Sequence, residues 1–299
     1  YVKHGHFVDG VELFDNAHFG IGAAEAKTMD PHQRLLLETG YAALAQSGQD
    51  KASLMGSDVG VFVGIARSDW ENVQKDLSSR ATSFSNLGMD PGAGTGRVSY
   101  LLGLRGPCFA VNTACSSSRV ALDAACLNVR AGKCGSGGLA AGANLQLHAG
   151  GWAGFCAMRA LSADGQCKTF DESADGYGRG EACGAVLVQA GGEQEGGTRN
   201  GEGDSSAVLG WVTGTAVNQD GKSASFMAPN GPSQQAVIEQ ALGRDPANGG
   251  RRMGYVECHG TGTALGDPIE VGALRAVHGS GTNKDDGTRS TSDESIPAI

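Results

Sequence analysis

Residues 108–127 carry the reading on which the fold turns: Cys108-Phe109-Ala110-Val111-Asn112-Thr113-Ala114-Cys115-Ser116-Ser117-Ser118-Arg119-Val120-Ala121-Leu122-Asp123-Ala124-Ala125-Cys126-Leu127. A short apolar run leads into Cys115, and a helix-forming run leads away from it. A cysteine at a strand-to-helix turn sits where the helix N–H groups point outward, and the positive helix end favours thiolate over thiol. The thiolate is the nucleophile, so this placement suits covalent catalysis. The competing reading is a buried structural thiol, and the other seven cysteines are read that way, because free Cys is among the most buried residue types. Small residues on both sides of Cys115 set it apart.

A second stretch supplies a partner group. Val256-Glu257-Cys258-His259-Gly260-Thr261-Gly262-Thr263-Ala264-Leu265-Gly266-Asp267-Pro268-Ile269-Glu270 reads as a short strand, a Gly/Thr loop and a helix start. Asp267 is expected as the N-cap, with Pro268 at the first helical position. A lone His is usually structural or solvated. His259, at a strand end beside two hydroxyls and a flexible backbone, is placed to reach into a pocket.

Composition narrows the classes. In 299 residues the net charge is −9, from 23 basic and 32 acidic side chains. That balance argues against nonspecific nucleic-acid binding, which needs a basic footprint. Hydrophobic residues at 40% and 49 glycines allow a sizeable core with tight turns and closely packed strands. No run of 18 apolar residues occurs, so no membrane span is expected. The eight cysteines are scattered through apolar and Gly-rich runs, which favours free thiols in a reducing compartment, cytoplasmic or plastid. No targeting segment opens the chain, and one that preceded Tyr1 would not be seen. Neither H-E-x-x-H nor C-x-x-C occurs, His4 and His6 read as an exposed pair, and no metal site is expected. Gly92–Gly96 and Gly135–Gly138 read as tight turns rather than phosphate loops.

Residues 30–47 read as a helix capped by Asp30 and opened by Pro31, with Leu37, Tyr41, Leu44 and Ala45 on one face and Gly48 at its end. Residues 59–65, 139–147 and 185–188 read as buried strands. Residues 191–206 have a loop composition and are expected to join two halves, 1–190 and 207–299. A strand is expected over 208–217, a helix over 233–242, and a second polar loop over 279–295.

These segments resemble the β-ketoacyl synthases, in particular the ketosynthase domains of modular type I polyketide synthases. The family's nucleophile lies in D-T-A-C-S-S-S-L and its first histidine in E-A-H-G-T-G-T-x-x-G-D-P-x-E. Asp30-Pro31-His32-Gln33-Arg34 is similar to its D-P-Q-Q-R, and Gly96-Arg97-Val98-Ser99-Tyr100 to its G-R-I-S-Y. Leu161–Gly165, Phe170-Asp171, Asp175–Glu181, Gly214–Gly221 and Ala228–Pro232 extend the resemblance over about residues 6–278. Two departures stand out: Asn112 replaces an acidic residue, and Arg119 an apolar one.

The resemblance implies an α/β, thiolase-like fold of two similar halves in a five-layered αβαβα arrangement. It implies that the chain is truncated at both ends, lacking the first strand and the segment with the second active-site histidine, Ile296–Ile299 being the strand that leads there. It implies a decarboxylative Claisen condensation, with the acyl group on Cys115 and a malonyl-type extender on the phosphopantetheine of an acyl carrier protein. His259 would hydrogen-bond the enolate, Thr261 and Thr263 would hold the pantetheine arm, and Arg179 and Glu181 would brace the site. No cofactor of the domain's own and a homodimer are implied. Fatty-acid and polyketide synthases share these motifs, and Asp267-Pro268-Ile269-Glu270 leans toward polyketide. Two alternatives remain: a thiolase- or chalcone-synthase-like condensation on coenzyme A esters, and a catalytically silent binding or scaffold fragment.

Overall fold

The computed structural model describes residues 1–66, 68–76, 82–191, 208–243 and 253–279. All but the first residue of the expected joint (191–206) and of the second polar loop (279–295) lies outside the described residues, as does the expected strand at 296–299. The strands are β1 (Gly60–Ile65), β2 (Cys108–Val111), β3 (Gly138–Asn144) and β4 (Ala182–Val188). The helices are α1 (Ala23–Thr28), α2 (Pro31–Gln46), α3 (Lys51–Leu54), α4 (Trp70–Asp76), α5 (Ser85–Met89), α6 (Pro91–Leu102), α7 (Ser117–Arg130), α8 (Ala149–Ala157), α9 (Gly231–Leu242) and α10 (Gly266–His278). The chain groups into two compact units. One, the sheet unit, holds His6–Ala153 and Gly180–Gly210; the second holds Tyr1–Gly5, Gly154–Arg179 and Trp211–Ile299.

In the sheet unit the strand order is β2-β1-β3-β4. β1 runs parallel to β2 and to β3, and β3 pairs antiparallel with β4. A parallel strand between two others is covered on both faces, so β1 reads as an unbroken apolar run. Its side chains alternate. Val61, Val63 and Ile65 join Leu139 and Ala141 of β3, Leu36, Leu37 and Leu44 of α2, and Val98 and Leu102 of α6. Phe62 points the other way, into a smaller cluster with Ala140 and with Ala121, Ala125 and Val129 of α7. Each fully buried Leu, Val or Phe contributes about 1.5–3 kcal/mol relative to exposure.

The helix ends follow local chemistry. Asp30 accepts the His32 N–H at 2.8 Å and Pro31 occupies the first turn of α2. The core face of α2 is Leu36, Leu37, Gly40 and Leu44, while Ala45 is exposed and Tyr41 half-buried, which corrects the expected face. Asn230 caps α9 through the Ser233 N–H. The strand expected over 208–217 is not formed among the described residues. A strand needs a ladder partner. Gly214 instead lies against α9, where an added Cβ would be 1.9 Å from the Ala241 carbonyl oxygen.

Beneath the first turn of α7 the sheet carries no side chains at Gly64 and Gly142. A Cβ on Gly64 would lie 2.3 Å from the Ser117 carbonyl carbon, and one on Gly142 would lie 2.6 Å from Ser118 Cβ. Only a strand without side chains at these two points lets the first turn of α7 rest directly on the sheet.

Candidate active site

The turn between β2 and α7 is held by its own side chains. Asn112 Oδ1 accepts the Ala114 N–H at 3.1 Å. Ser117 Oγ accepts the Thr113 N–H at 2.8 Å and donates to the Ala114 carbonyl at 2.7 Å. Ser116 Oγ donates to the Thr113 carbonyl at 2.9 Å. Ala114 adopts φ 55°, in the left-handed region that side chains rarely enter. Such a residue stores about 1–3 kcal/mol and persists only where its surroundings hold it. Cys115 follows directly, in a 3₁₀ turn spanning Ala114–Ser116 that runs into α7, and it is exposed.

All eight cysteines are free thiols. The expected burial of the other seven holds for Cys126 and Cys134, whereas Cys108 and Cys167 are exposed. Cys108 starts an edge strand, and Cys167 lies outside helix and strand. Burial pushes the Cys126, Cys134 and Cys183 thiols up. Cys258 is raised by burial and then by the nearby Glu270 and Asp267 carboxylates, so the thiol beside His259 is a poor nucleophile.

In the second unit the Gly/Thr loop is anchored by α10. The Glu270 carboxylate accepts the His259 N–H at 2.6 Å and the Gly260 N–H at 2.9 Å. Asp267 accepts the Gly262 N–H at 3.1 Å and the Phe170 N–H at 2.8 Å. Asp267 is therefore not the helix N-cap. It lies inside the first turn of α10, which begins at Gly266, and its carboxylate turns back to the loop. Thr169 Oγ1 donates to the Gly260 carbonyl at 2.5 Å. The Thr261 and Thr263 hydroxyls lie 3.1 Å apart, and Thr263 Oγ1 accepts the Gly266 N–H at 3.1 Å. His259, Thr261 and Thr263 are thus brought together on one anchored loop. Asp267 and Glu270, three residues apart on one helix, are the anchors of this loop; the motif alone suggested only a cap for Asp267 and no role for Glu270.

Arg179 and Glu181 fall in different units. The Arg179 guanidinium sits 4.3 Å from the centre of the Phe155 ring. Glu181 accepts the Val8 N–H at 2.9 Å and the Gln146 N–H at 2.7 Å. It belongs to a set of acceptors along the segment after β3. His32 Nε2 accepts the Leu145 N–H at 2.8 Å, and Asp69 accepts those of Leu147 at 3.3 Å and His148 at 2.8 Å. Because His32 Nε2 accepts, its Nδ1 carries the proton and donates to Asp30 at 2.7 Å. The sequence gives His32 only as part of the Asp30–Arg34 motif and offers no signal for Asp69, because these hydrogen bonds join segments far apart in the chain. Among the described residues no group of three or more His, Cys, Asp and Glu side chains is placed to hold a metal ion.

Comparison with known proteins matches the chain in two stretches. Residues 1–193 match the family described as "Beta-ketoacyl synthase, N-terminal domain", and residues 209–291 the "Beta-ketoacyl synthase, C-terminal domain". Polyketide synthase GfsA of Streptomyces halstedii is 44% identical over 277 residues, 93% of this chain and 4% of its own length. Pikromycin polyketide synthase component PikAII of Streptomyces venezuelae is 44% identical over 281 residues, 94% of this chain and 7% of its own. The ketosynthase from module 6 of the bacillaene synthase of Bacillus subtilis superposes with TM-score 0.79 at 31% identity, over 93% of this chain and 46% of that one. The oxazolomycin ketosynthase domain OzmH KS7 of Streptomyces albus gives 0.78 at 34%, over 93% and 48%. The chain thus spans a small part of these curated relatives and under half of each solved chain.

Proposed function

The chain belongs to the β-ketoacyl synthase family and has its thiolase-like α/β fold, and on that basis we propose that it catalyses the decarboxylative Claisen condensation of polyketide assembly. The Cys115 thiolate attacks an acyl thioester on a carrier's phosphopantetheine. A new thioester forms on Sγ, and the carrier thiolate leaves and takes up a proton. A malonyl-type extender then loses CO₂ and becomes an enolate. The enolate carbon attacks the acyl carbonyl, and the bond to Cys115 Sγ breaks. Negative charge develops on the enolate oxygen and on the tetrahedral intermediate, and fixed N–H donors stabilise such charge. His259 serves the first and the Cys115 backbone N–H the second. Thr261 and Thr263 hold the pantetheine arm, and Arg179 and Glu181 brace their surroundings.

The observation that carries this reading is the exposed Cys115 on a side-chain-locked turn at the head of α7. The test is an acyl thioester incubated with the chain and with its Cys115→Ala variant. Mass spectrometry should place the acyl group on Cys115. An adduct on Cys108 or Cys167, the other exposed thiols, would overturn the assignment.

An acyl carrier protein is the partner this chemistry requires, and the polyketide synthase names of the relatives support it over coenzyme A esters. We further propose a homodimer formed through β2. It is an edge strand, and Phe109 on it is 43% exposed. Sedimentation at micromolar concentration should give a dimer. We also propose halves at 1–190 and 207–299 joined by 191–206, in keeping with the two family matches. Among the described residues no helix is long and apolar enough to cross a membrane. Free thiols and bacterial relatives support a reducing cytoplasm and give the plastid alternative no support.

A further inference from the structure

The Gly/Thr loop is held from two sides. On one side the α10 carboxylates take its N–H groups, those of His259 and Gly260 at Glu270 and that of Gly262 at Asp267. On the other side, donors from residues 169–176 take its carbonyls. Thr169 Oγ1 donates to the Gly260 carbonyl at 2.5 Å, and the Gly176 N–H donates to the Gly262 carbonyl at 3.0 Å. The fit is close. A Cβ on Gly260 would lie 2.6 Å from Thr169 Cγ2, and one on Gly262 would lie 2.8 Å from the Lys168 nitrogen.

Holding from both sides matters because of the backbone that is held. Gly260 and Gly262 have φ 53° and 66°. Glycine takes either sign of φ readily, so the peptide planes beside it turn at little steric cost. The carboxylates fix the planes that carry the His259, Gly260 and Gly262 N–H groups. The plane between Gly260 and Thr261 carries the Gly260 carbonyl, which Thr169 holds. Thr169 is exposed, and an exposed hydroxyl on a loose segment would hold little. Its backbone is not loose. On one side Lys168 Nζ meets Asp175 at 2.8 Å, Asp164 at 3.1 Å and Ser162 Oγ at 3.2 Å. On the other the Phe170 N–H donates to Asp267 at 2.8 Å, and the Asp171 N–H donates to the Lys168 carbonyl at 3.2 Å. The hydroxyl is therefore preorganised, and its hydrogen bond forms with little further loss of freedom.

Resting on the roles of His259 and Thr261 given above, we propose that Thr169 is a positioning residue for condensation: its hydroxyl locks the peptide between Gly260 and Thr261 and so sets the loop that presents both side chains to the extender. Without the hydroxyl that plane is free to turn, and the Gly260 carbonyl meets water instead of a fixed donor. Attack of Cys115 on an acyl group that carries no pantetheine-like arm makes no use of this loop. The two half-reactions therefore separate positioning from a general loosening of the structure.

The full chain and its Thr169→Val and Thr169→Ser variants are acylated with the thiophenyl ester of hexanoic acid and then turned over with malonyl N-acetylcysteamine. Valine keeps the shape of threonine without its hydroxyl, and serine keeps the hydroxyl. Amide hydrogen exchange at Gly260 and Gly262 is followed in parallel, since it reports local opening without reference to activity. Thr169→Val should slow condensation about fivefold, the effect of one net hydrogen bond, and speed exchange by a similar factor. Acylation of Cys115 and the melting temperature should not change. Thr169→Ser should return condensation and exchange to near wild type. Condensation and acylation that fall together, exchange that does not move, or a serine variant that does not recover would overturn the proposal alone. Faster exchange with an unchanged condensation rate, or no condensation by the acylated wild type, would overturn the roles of His259 and Thr261 and the proposal with them.

Discussion

Gly64→Ala tests whether the sheet sets the position of the nucleophile turn. The added Cβ would lie 2.3 Å from the Ser117 carbonyl carbon, 2.4 Å from the Ser118 nitrogen and 2.5 Å from the Ser117 oxygen. Carbon atoms at ordinary contact stand about 3.5–4.0 Å apart, so roughly 1.2 Å must be found. β1 cannot supply it, being paired through Gly64 to Val111 on one side and Gly142 on the other. The first turn of α7 must rise instead, and Cys115 lies two residues ahead of Ser117. Overpacking of this kind costs about 1–3 kcal/mol, and a misplacement of about 1 Å costs roughly 10²-fold in rate. The control is Gly184→Ala on β4, where a Cβ meets nothing within 4 Å. The assay is thermal melting together with the acylation rate of Cys115. Gly64→Ala should melt lower and acylate about 10²-fold more slowly, while Gly184→Ala keeps the wild-type rate. Equal rates for the two variants would refute the reasoning.

Glu270→Ala strands the His259 and Gly260 N–H groups. Losing such acceptors costs about 1–3 kcal/mol, so condensation should fall roughly 10–100-fold with acylation of Cys115 less affected; half-reaction kinetics in which both steps fall together would speak against it. Under limiting iodoacetamide, peptide mapping should find Cys115 modified well before the buried Cys126 and Cys134, whose thiols are pushed up; uniform slow labelling would contradict this. Asp164 is held down at about 2, chiefly by the Ser162 hydroxyl and then by Lys168. Its folded value lies below the unfolded one of about 3.9, so its contribution is complete above about pH 4 and is lost as pH falls through about 2. The melting gap between wild type and Asp164→Asn should close over that window and narrow in salt; a gap that persists at lower pH would refute the assignment.

Much of this was legible where periodicity and capping act locally. The apolar run at 60–65 and the Asp-Pro start at 30–31 each specify their own element, and the Cys115 turn follows from the composition on its two sides. What escaped depends on which segments meet. The run 208–217 has strand composition, but a strand exists only beside a partner. Asp267 has the position of an N-cap, yet two loop N–H groups compete for its carboxylate and win. Gly64 and Gly142 look like any other glycines among 49, because the close approach they permit involves a helix far along the chain.

The segment after β3 has a consequence for dynamics. Leu145, Gln146, Leu147 and His148 form no strand, yet each of their amides donates to a side chain of His32, Glu181 or Asp69. Irregular backbone ordinarily exchanges its amide hydrogens quickly with solvent. These four should exchange slowly, as a strand would, because opening them means breaking contacts drawn from three distant parts of the chain. In a deuterium-uptake map this stretch would read as an extension of the sheet, made of side chains in place of a neighbouring backbone. Substituting Asp69 alone should release Leu147 and His148 while leaving Leu145 protected.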